Sequence, residues 1–416
     1  MKTLLADRNF RWLLGGGAIS MLGDQFTMIA LPWLVLKLTG DPLALGLVLA
    51  VMSLPRAVFI LVGGALVDRH SSRNVLMLTK LANLVLLGAL AVLAWAGHVQ
   101  LWMVYGLALL IGLVTAFSFP AGSAILPQTL PPALLQPANG VLMGMQQLSV
   151  LIGPVLAGGL IALFGDGIGT GGRGLALAFA LDALSYGLSA LTLTQVQHCA
   201  RPSLVAAQSV GQAIKESLQS FWRDKTLRTL CLYFAAIGFF VGGPIQVALP
   251  VLASTQLPGG AASLGLLLAG HGAGVLVGMG LAGWRPGWRL KTLGTTVLVI
   301  DALAGLAFMP FGHIDATWQG IALLAPLGAL GGFVQVAVFS WMQQRVPPEM
   351  LGRAMGLFMF IFMGLAPLAA AVAGAALRVL TPAMLFTASG AALLVIASVG
   401  AVLTPIRQIR DTEPIG

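Results

Sequence analysis

The ten residues Gly64–Arg73, GALVDRHSSR, join two long apolar runs and crowd an acid, two Arg and a His into a short polar stretch. Apolar runs of about 20 residues, each enough to cross about 30 Å of hydrocarbon, recur on both sides of it. The 416 residues are 58% hydrophobic and 8% charged, with 53 Gly and a mean hydropathy of +0.95. Soluble domains carry about 25% charged residues, so this chain is a polytopic membrane protein built from helices. The net charge of +9 raises a nucleic-acid partner, but the basic residues are scattered through short loops. That distribution points to orientation in a membrane.

Working outward, spans are expected at about 10–36, 43–67, 75–95, 101–121, 139–164 and 174–197, then at 228–252, 261–283, 291–309, 316–341, 353–378 and 381–405. Of the 22 Lys and Arg, only Lys37, Arg173 and Arg378 fall on the far side when the N-terminus is placed inside, and Arg56 falls within the membrane. The positive-inside rule then puts both termini in the cytoplasm. The first apolar run carries Asp24 and lacks a convincing cleavage site, so it reads as a span and not a signal. Cys199 and Cys231 have neither disulfide-frame nor metal-ligand spacing.

Residues 198–227 are the longest non-apolar segment and separate two bundles, 1–197 and 228–416. Within that linker, 206–221 has the pattern of an amphipathic surface helix. A shift of 216 residues aligns Gln128 with Gln344, Pro131–Pro132 with Pro347–Pro348, Gly140 with Gly356, and Gly64, Arg69 and Arg73 with Gly280, Arg285 and Arg289. One offset serving two separate loops marks an internal repeat.

Gly64-x-x-x-Asp68-Arg69 followed by Arg73 resembles the loop between the second and third helices of major facilitator superfamily transporters. Ser71 and Ser72 depart from that pattern. The resemblance extends from Asn9-Phe10-Arg11 through Gly23-Asp24 and Leu54-Pro55-Arg56 to the 347–352 loop. It is strongest to bacterial exporters of the enterobactin-exporter, macrolide-efflux and drug-antiporter type. It implies an all-α fold of twelve transmembrane helices in two pseudo-symmetric six-helix bundles. It also implies that the Gly64/Asp68/Arg69/Arg73 loop is a gating latch. Asp68 would cap a helix N-terminus and the two Arg would pair with nearby acids. A plain positive-inside anchor is the alternative.

Gly144, Gly153-Pro154 and Gly158-Gly159 in the fifth span resemble the Gly-Pro motif of the antiporters. Small residues let helices approach closely and Pro154 bends its helix. The eighth span offers Gly270, Gly274 and Gly278 as the matching face. Ordinary packing is the alternative here too.

Charges inside a membrane are costly and few. Asp24 and Arg56 both fall near mid-depth, about 14 and 13 residues into their spans at about 1.5 Å each. An Arg beside a buried acid keeps it ionised, and its withdrawal favours proton uptake; a permanent structural pair is the alternative. His271 and Asp301 are candidates for a second relay, and Asp182 is secondary. The antiporters' fourth-span Arg is missing from 101–121.

If the resemblance holds, the first, fourth, seventh and tenth spans line the cargo cavity with Gln25, Met28, Trp33, Phe117, Phe119, Phe234, Phe239, Gln246, Gln335 and Phe339, joined by Met143 and Gln146. Met and aromatic surfaces with scattered amides suit amphipathic ligands. No phosphate loop or His-Glu-x-x-His site is present, so the chain reads as a non-enzyme needing no cofactor or metal. Its expected partners are membrane lipids, a lipophilic small molecule and protons, with no nucleic acid, and the chain acts as a monomer in a bacterial inner membrane. The resulting expectation is proton-driven export. Uncoupled lipid flipping or facilitated movement is the main alternative, and metal or siderophore export a lesser one.

Overall fold

A computed structural model describes residues 2–69, 71–197, 225–285, 287–345 and 364–409; the side chains of Lys2, 56–58, 60–69, Thr170 and Lys225 lie outside that description. After a short helix, Lys2–Ala6, the first six long helices are α1 (Arg8–Thr39), α2 (Pro42–Arg69), α3 (Ser72–Ala96), α4 (Leu101–Thr129), α5 (Pro132–Phe164) and α6 (Gly174–Thr194). Next come α7 (Lys225–Gly243, continued by a π segment Pro244–Ala248 and Leu249–Thr255), α8 (Ala261–Trp284) and α9 (Leu293–Phe308). The last three are α10 (Thr317–Arg345), α11 (Ala366–Ala376) and α12 (Pro382–Leu403). Among the described residues, ten helices are long and apolar enough to span a bilayer, and two shorter apolar stretches lie in α2 and α11.

Caps explain where several helices begin and end. Asp7 accepts from the Phe10 amide at 2.9 Å to start α1, and Gly40, with φ of 61°, ends it in the left-handed region. Thr292 and Thr381 cap α9 and α12 in the same way as Asp7. The first span is thus longer than 10–36. The fourth and fifth also run on, to Thr129 and back to Pro132.

The chain divides into two compact units, 1–207 with 259–269 and 208–258 with 270–416. In the first unit α6 packs on α1 and α3, α4 packs on α2 and α3, and α5 packs on α1. One end of this unit is sealed by Leu4, Phe10, Leu13, Leu76, Ile125 and Leu193. In the second unit α9 packs on α12, and α7 on α11 and α12. Tyr233, Phe234, Val297, Trp341 and Ile406 share its core. The surface helix expected at 206–221, the 347–352 loop and Cys199 lie outside the described residues.

Candidate functional site

Gly16, Ser20, Gly23 and Thr27 form a stripe of small residues on α1, spaced three and four apart so that they share one face. A Cβ on Gly16 would strike the Thr192 hydroxyl, and one on Gly23 would strike Ser185 and the Asp182 carboxylate. The missing side chains therefore let α6 lie against α1 and carry Asp182 inward, where it is 1% exposed. Asp182 accepts from the Thr27 hydroxyl and from Ser185 Oγ at 3.2 Å. One helical turn along α6, the Tyr186 hydroxyl donates to Asp24 Oδ1 at 2.6 Å. From α3, Lys80 Nζ donates to Ser20 Oγ at 2.7 Å and lies 4.8 Å from the centroid of the Tyr186 ring.

Two acids, a lysine and a tyrosine from three helices thus meet at mid-span. Asp24 is exposed and lies about 24 Å along its helix. The Arg56 side chain, expected beside it, lies outside the described residues. A third span at 75–95 assigns Lys80 to a helix end. The helix in fact begins at Ser72, which puts Lys80 about 12 Å deep.

At the C-terminal end of α1 a second cluster forms. Lys37 pairs with Asp166 at 2.7 Å, and the Trp33 indole donates to the same carboxylate oxygen at 3.1 Å. Burial alone would push the Asp166 carboxyl up, but the Lys37 and Trp33 hydrogen bonds and the Lys37 charge outweigh it and hold it below the usual value. The Trp33 ring is 2% exposed and leaves room only for glycine at Gly260, whose φ is +51°. Trp33 is therefore a packed anchor and not a cavity wall, because its indole N–H has an acid to meet.

The Gly-Pro motif divides. A Cβ on Gly153 would collide with the Gln25 side chain, and one on Gly158 with the Ala261 carbonyl, while Gly265 has no room because of the Pro154 carbonyl. Gly144 and Gly159 face open space. The start of α8 thus meets α5 through Ala261, Ala262 and Gly265. Gly270, Gly274 and Gly278, expected on that face, point elsewhere: they abut Ile321, Ala325 and Ala329 of α10. Gly328 and Gly332 of α10 return the contact onto the His271 and Val275 carbonyls. Two four-residue glycine spacings interlock, the tightest approach small residues permit.

In the second unit Asp301, 7% exposed, accepts from the Tyr233 hydroxyl at 2.7 Å. The expected relay with His271 is replaced by this bond, since His271 sits on the α8 stripe that packs against α10. Phe234 is buried in the core beside Tyr233 and does not line a cavity. Of the other cavity candidates, Met28, Phe119, Met143, Gln146 and Gln335 are exposed, and Phe117, Phe239 and Phe339 are half-buried. Gln246 falls in the π segment, a distortion frequent at functional sites. Gln25 keeps Oε1 buried without a hydrogen-bond partner among the described residues.

At the opening stretch, the Gly64, Asp68 and Arg69 side chains lie outside the described residues. Arg73 donates to the Leu193 and Thr194 carbonyls at 2.8 and 2.9 Å. Its expected acid partner is replaced by the C-terminal end of α6, where the helix dipole favours a cation.

Comparison with known proteins agrees with this architecture. Multidrug efflux pump Tap of Mycolicibacterium fortuitum is 29% identical over 369 residues, covering 85% of each chain. Macrolide efflux protein A of Streptococcus pyogenes is 23% identical over 363 residues, covering 84% of each. The crystal structure of an auto-inhibited POT family peptide transporter superposes with a TM-score of 0.74 at 13% identity, covering 99% of each chain; this likeness is of fold alone. The family model of the Major Facilitator Superfamily matches residues 13–371, and the chain belongs to that superfamily.

Proposed function

We propose that the protein exports hydrophobic or amphipathic small molecules across a bacterial inner membrane by alternating access, both termini cytoplasmic, in exchange for protons carried on Asp24. The observation that carries this reading is an exposed carboxylate at mid-span, held by a tyrosine hydroxyl on the helix that also carries a buried second acid. An intramembrane acid is costly unless it is used. The relatives named for efflux supply the direction and the cargo class.

The test is proton release on cargo binding, in weakly buffered detergent, with a panel of lipophilic cations, macrolides and siderophores. Wild type should release protons with at least one of them, and Asp24→Asn should bind it silently. Equal release from the variant would overturn the assignment to Asp24.

One observation favours a second reading, the uncoupled movement of lipid. Leu78, Ala82, Leu113, Val114 and Phe117 line an apolar pocket of about 490 Å³ between α3 and α4, and Leu78 is 70% exposed on that face. Cargo binding without proton release in wild type would select it.

A further inference from the structure

The proton-carrier reading leaves Lys80 without a task, and its placement is expensive. A lysine about 12 Å inside a span is uncommon unless a charge partner holds it there. Its head group interacts electrostatically with two acids of the first unit, Asp24 and Asp182. Among the described residues a single hydrogen bond fixes it, to Ser20 Oγ at 2.7 Å, although an ammonium has three donors.

A second seat lies within reach. Asn83, three residues on and on the same helical face, is 2% exposed. Its Oδ1 has no hydrogen-bond partner among the described residues. A buried acceptor left open is costly, and an ammonium can satisfy it.

The other groups around the head group can be enumerated. α6 contributes Asp182 and Tyr186, and α1 contributes Asp24. α4, the other helix packed on α3, contributes only Tyr105 among the described residues, near its far end. Arg56, on α2, has its side chain outside the described residues. The two acids also differ. Asp182 is buried with two hydroxyl donors, and Asp24 is exposed and accepts from Tyr186.

We infer that Lys80 is the positioning residue of the coupling site, a tethered cation that offsets one charge of the Asp182–Asp24 pair and sets how readily Asp24 takes and gives up its proton. The inference rests on Asp24 as the proton carrier. When Asp24 is ionised, the ammonium balances one of two negative charges. When Asp24 binds a proton from the aqueous side, the ammonium is left to Asp182 alone and the pair is neutral. Lys80 itself exchanges no proton in this scheme.

The experiment measures cargo-induced proton release against pH for wild type, Asp24→Asn, Lys80→Arg, Lys80→Gln and Lys80→Gln/Asp182→Asn. Each is first checked for a single size-exclusion peak. Removing the cation should move the half-maximal pH upward by about one unit or more, the direction and scale expected on losing a nearby opposite charge. Lys80→Arg should stay near wild type, and the double variant should return toward it. A merely structural lysine would change yield or affinity and leave the pH profile in place. Superposable profiles for wild type and Lys80→Gln, with release still lost in Asp24→Asn, would overturn this inference alone. A double variant displaced as far as Lys80→Gln would overturn it equally. No release from wild type would overturn the proton-carrier reading and this inference with it.

Discussion

Substituting Gly274 by Ala puts one methyl group where α8 and α10 meet backbone to backbone. The added Cβ would lie 2.8 Å from the Ala325 carbonyl carbon and 3.0 Å from its Cα, against 3.4–4 Å for ordinary contact. The Ala325 carbonyl oxygen would be nearer still, so the helices must separate by about an ångström or more, and overpacking of this kind costs about 1–3 kcal/mol. Part is offset, because Ala is better than Gly inside a helix by about 0.8–1.0 kcal/mol. Gly280 provides the control: it lies on the same helix with nothing within 4 Å of its missing Cβ, so only the helix gain applies. The helix gain is common to both variants and cancels, so they should differ by the overpacking cost, about 1–3 kcal/mol.

For a unit of roughly 200 residues, about 2–4 °C per kcal/mol makes the gap on the order of 2–12 °C. Tryptophan fluorescence during thermal unfolding in detergent, at one scan rate, reads it directly. Because Gly278, Gly328 and Gly332 share the contact, a double variant should lose less than the two single losses added together. Equal midpoints for Gly274→Ala and Gly280→Ala would refute the close-contact account, and a lower midpoint for Gly280→Ala would reverse it.

Two further outcomes are expected. Arg73→Met removes two hydrogen bonds from the end of α6, a loss of about 1.5–3 kcal/mol; amide exchange should rise around 190–196, and Arg73→Lys should recover only part, having no planar fork. Asp166 is held below its usual value, so the stability it adds is fully present above the unfolded value of 3.8 and is lost as pH falls through the lower folded value. With both partners about 40% exposed, the ion pair adds about 0.2–1 kcal/mol. The midpoint difference between wild type and Asp166→Asn should stay flat from about pH 5 to 8 and shrink as pH falls below the unfolded value of 3.8; a difference that changes between pH 6 and 8 would contradict the assignment.

Hydropathy alone locates the long helices, because a bilayer demands an unbroken apolar run and the chain obeys it. What it cannot show is which helix a small-residue stripe will meet. Gly270, Gly274 and Gly278 announce a close approach, yet nothing in their spacing distinguishes α5 from α10. Asp24 stands out as a charge in an apolar run. Tyr186, its partner 162 positions away, carries no charge to draw the eye. A boundary error of three residues hides Lys80, enough to turn a mid-depth cation into an interfacial one. Trp33 has the composition of a cargo contact, and only the distant Asp166 makes it an anchor.

The π segment Pro244–Ala248 alters how the two ends of α7 relate. Each extra residue in a helical turn rotates the downstream part of the helix by about 100° relative to an uninterrupted α-helix. Tyr233 and Phe234 on one side, and Val251 and Leu252 on the other, therefore do not lie on the stripe that a constant period assigns them. The two ends are phased independently, as if a shim had been set into a shaft. One end can satisfy the core around Asp301 while the other presents its own buried face.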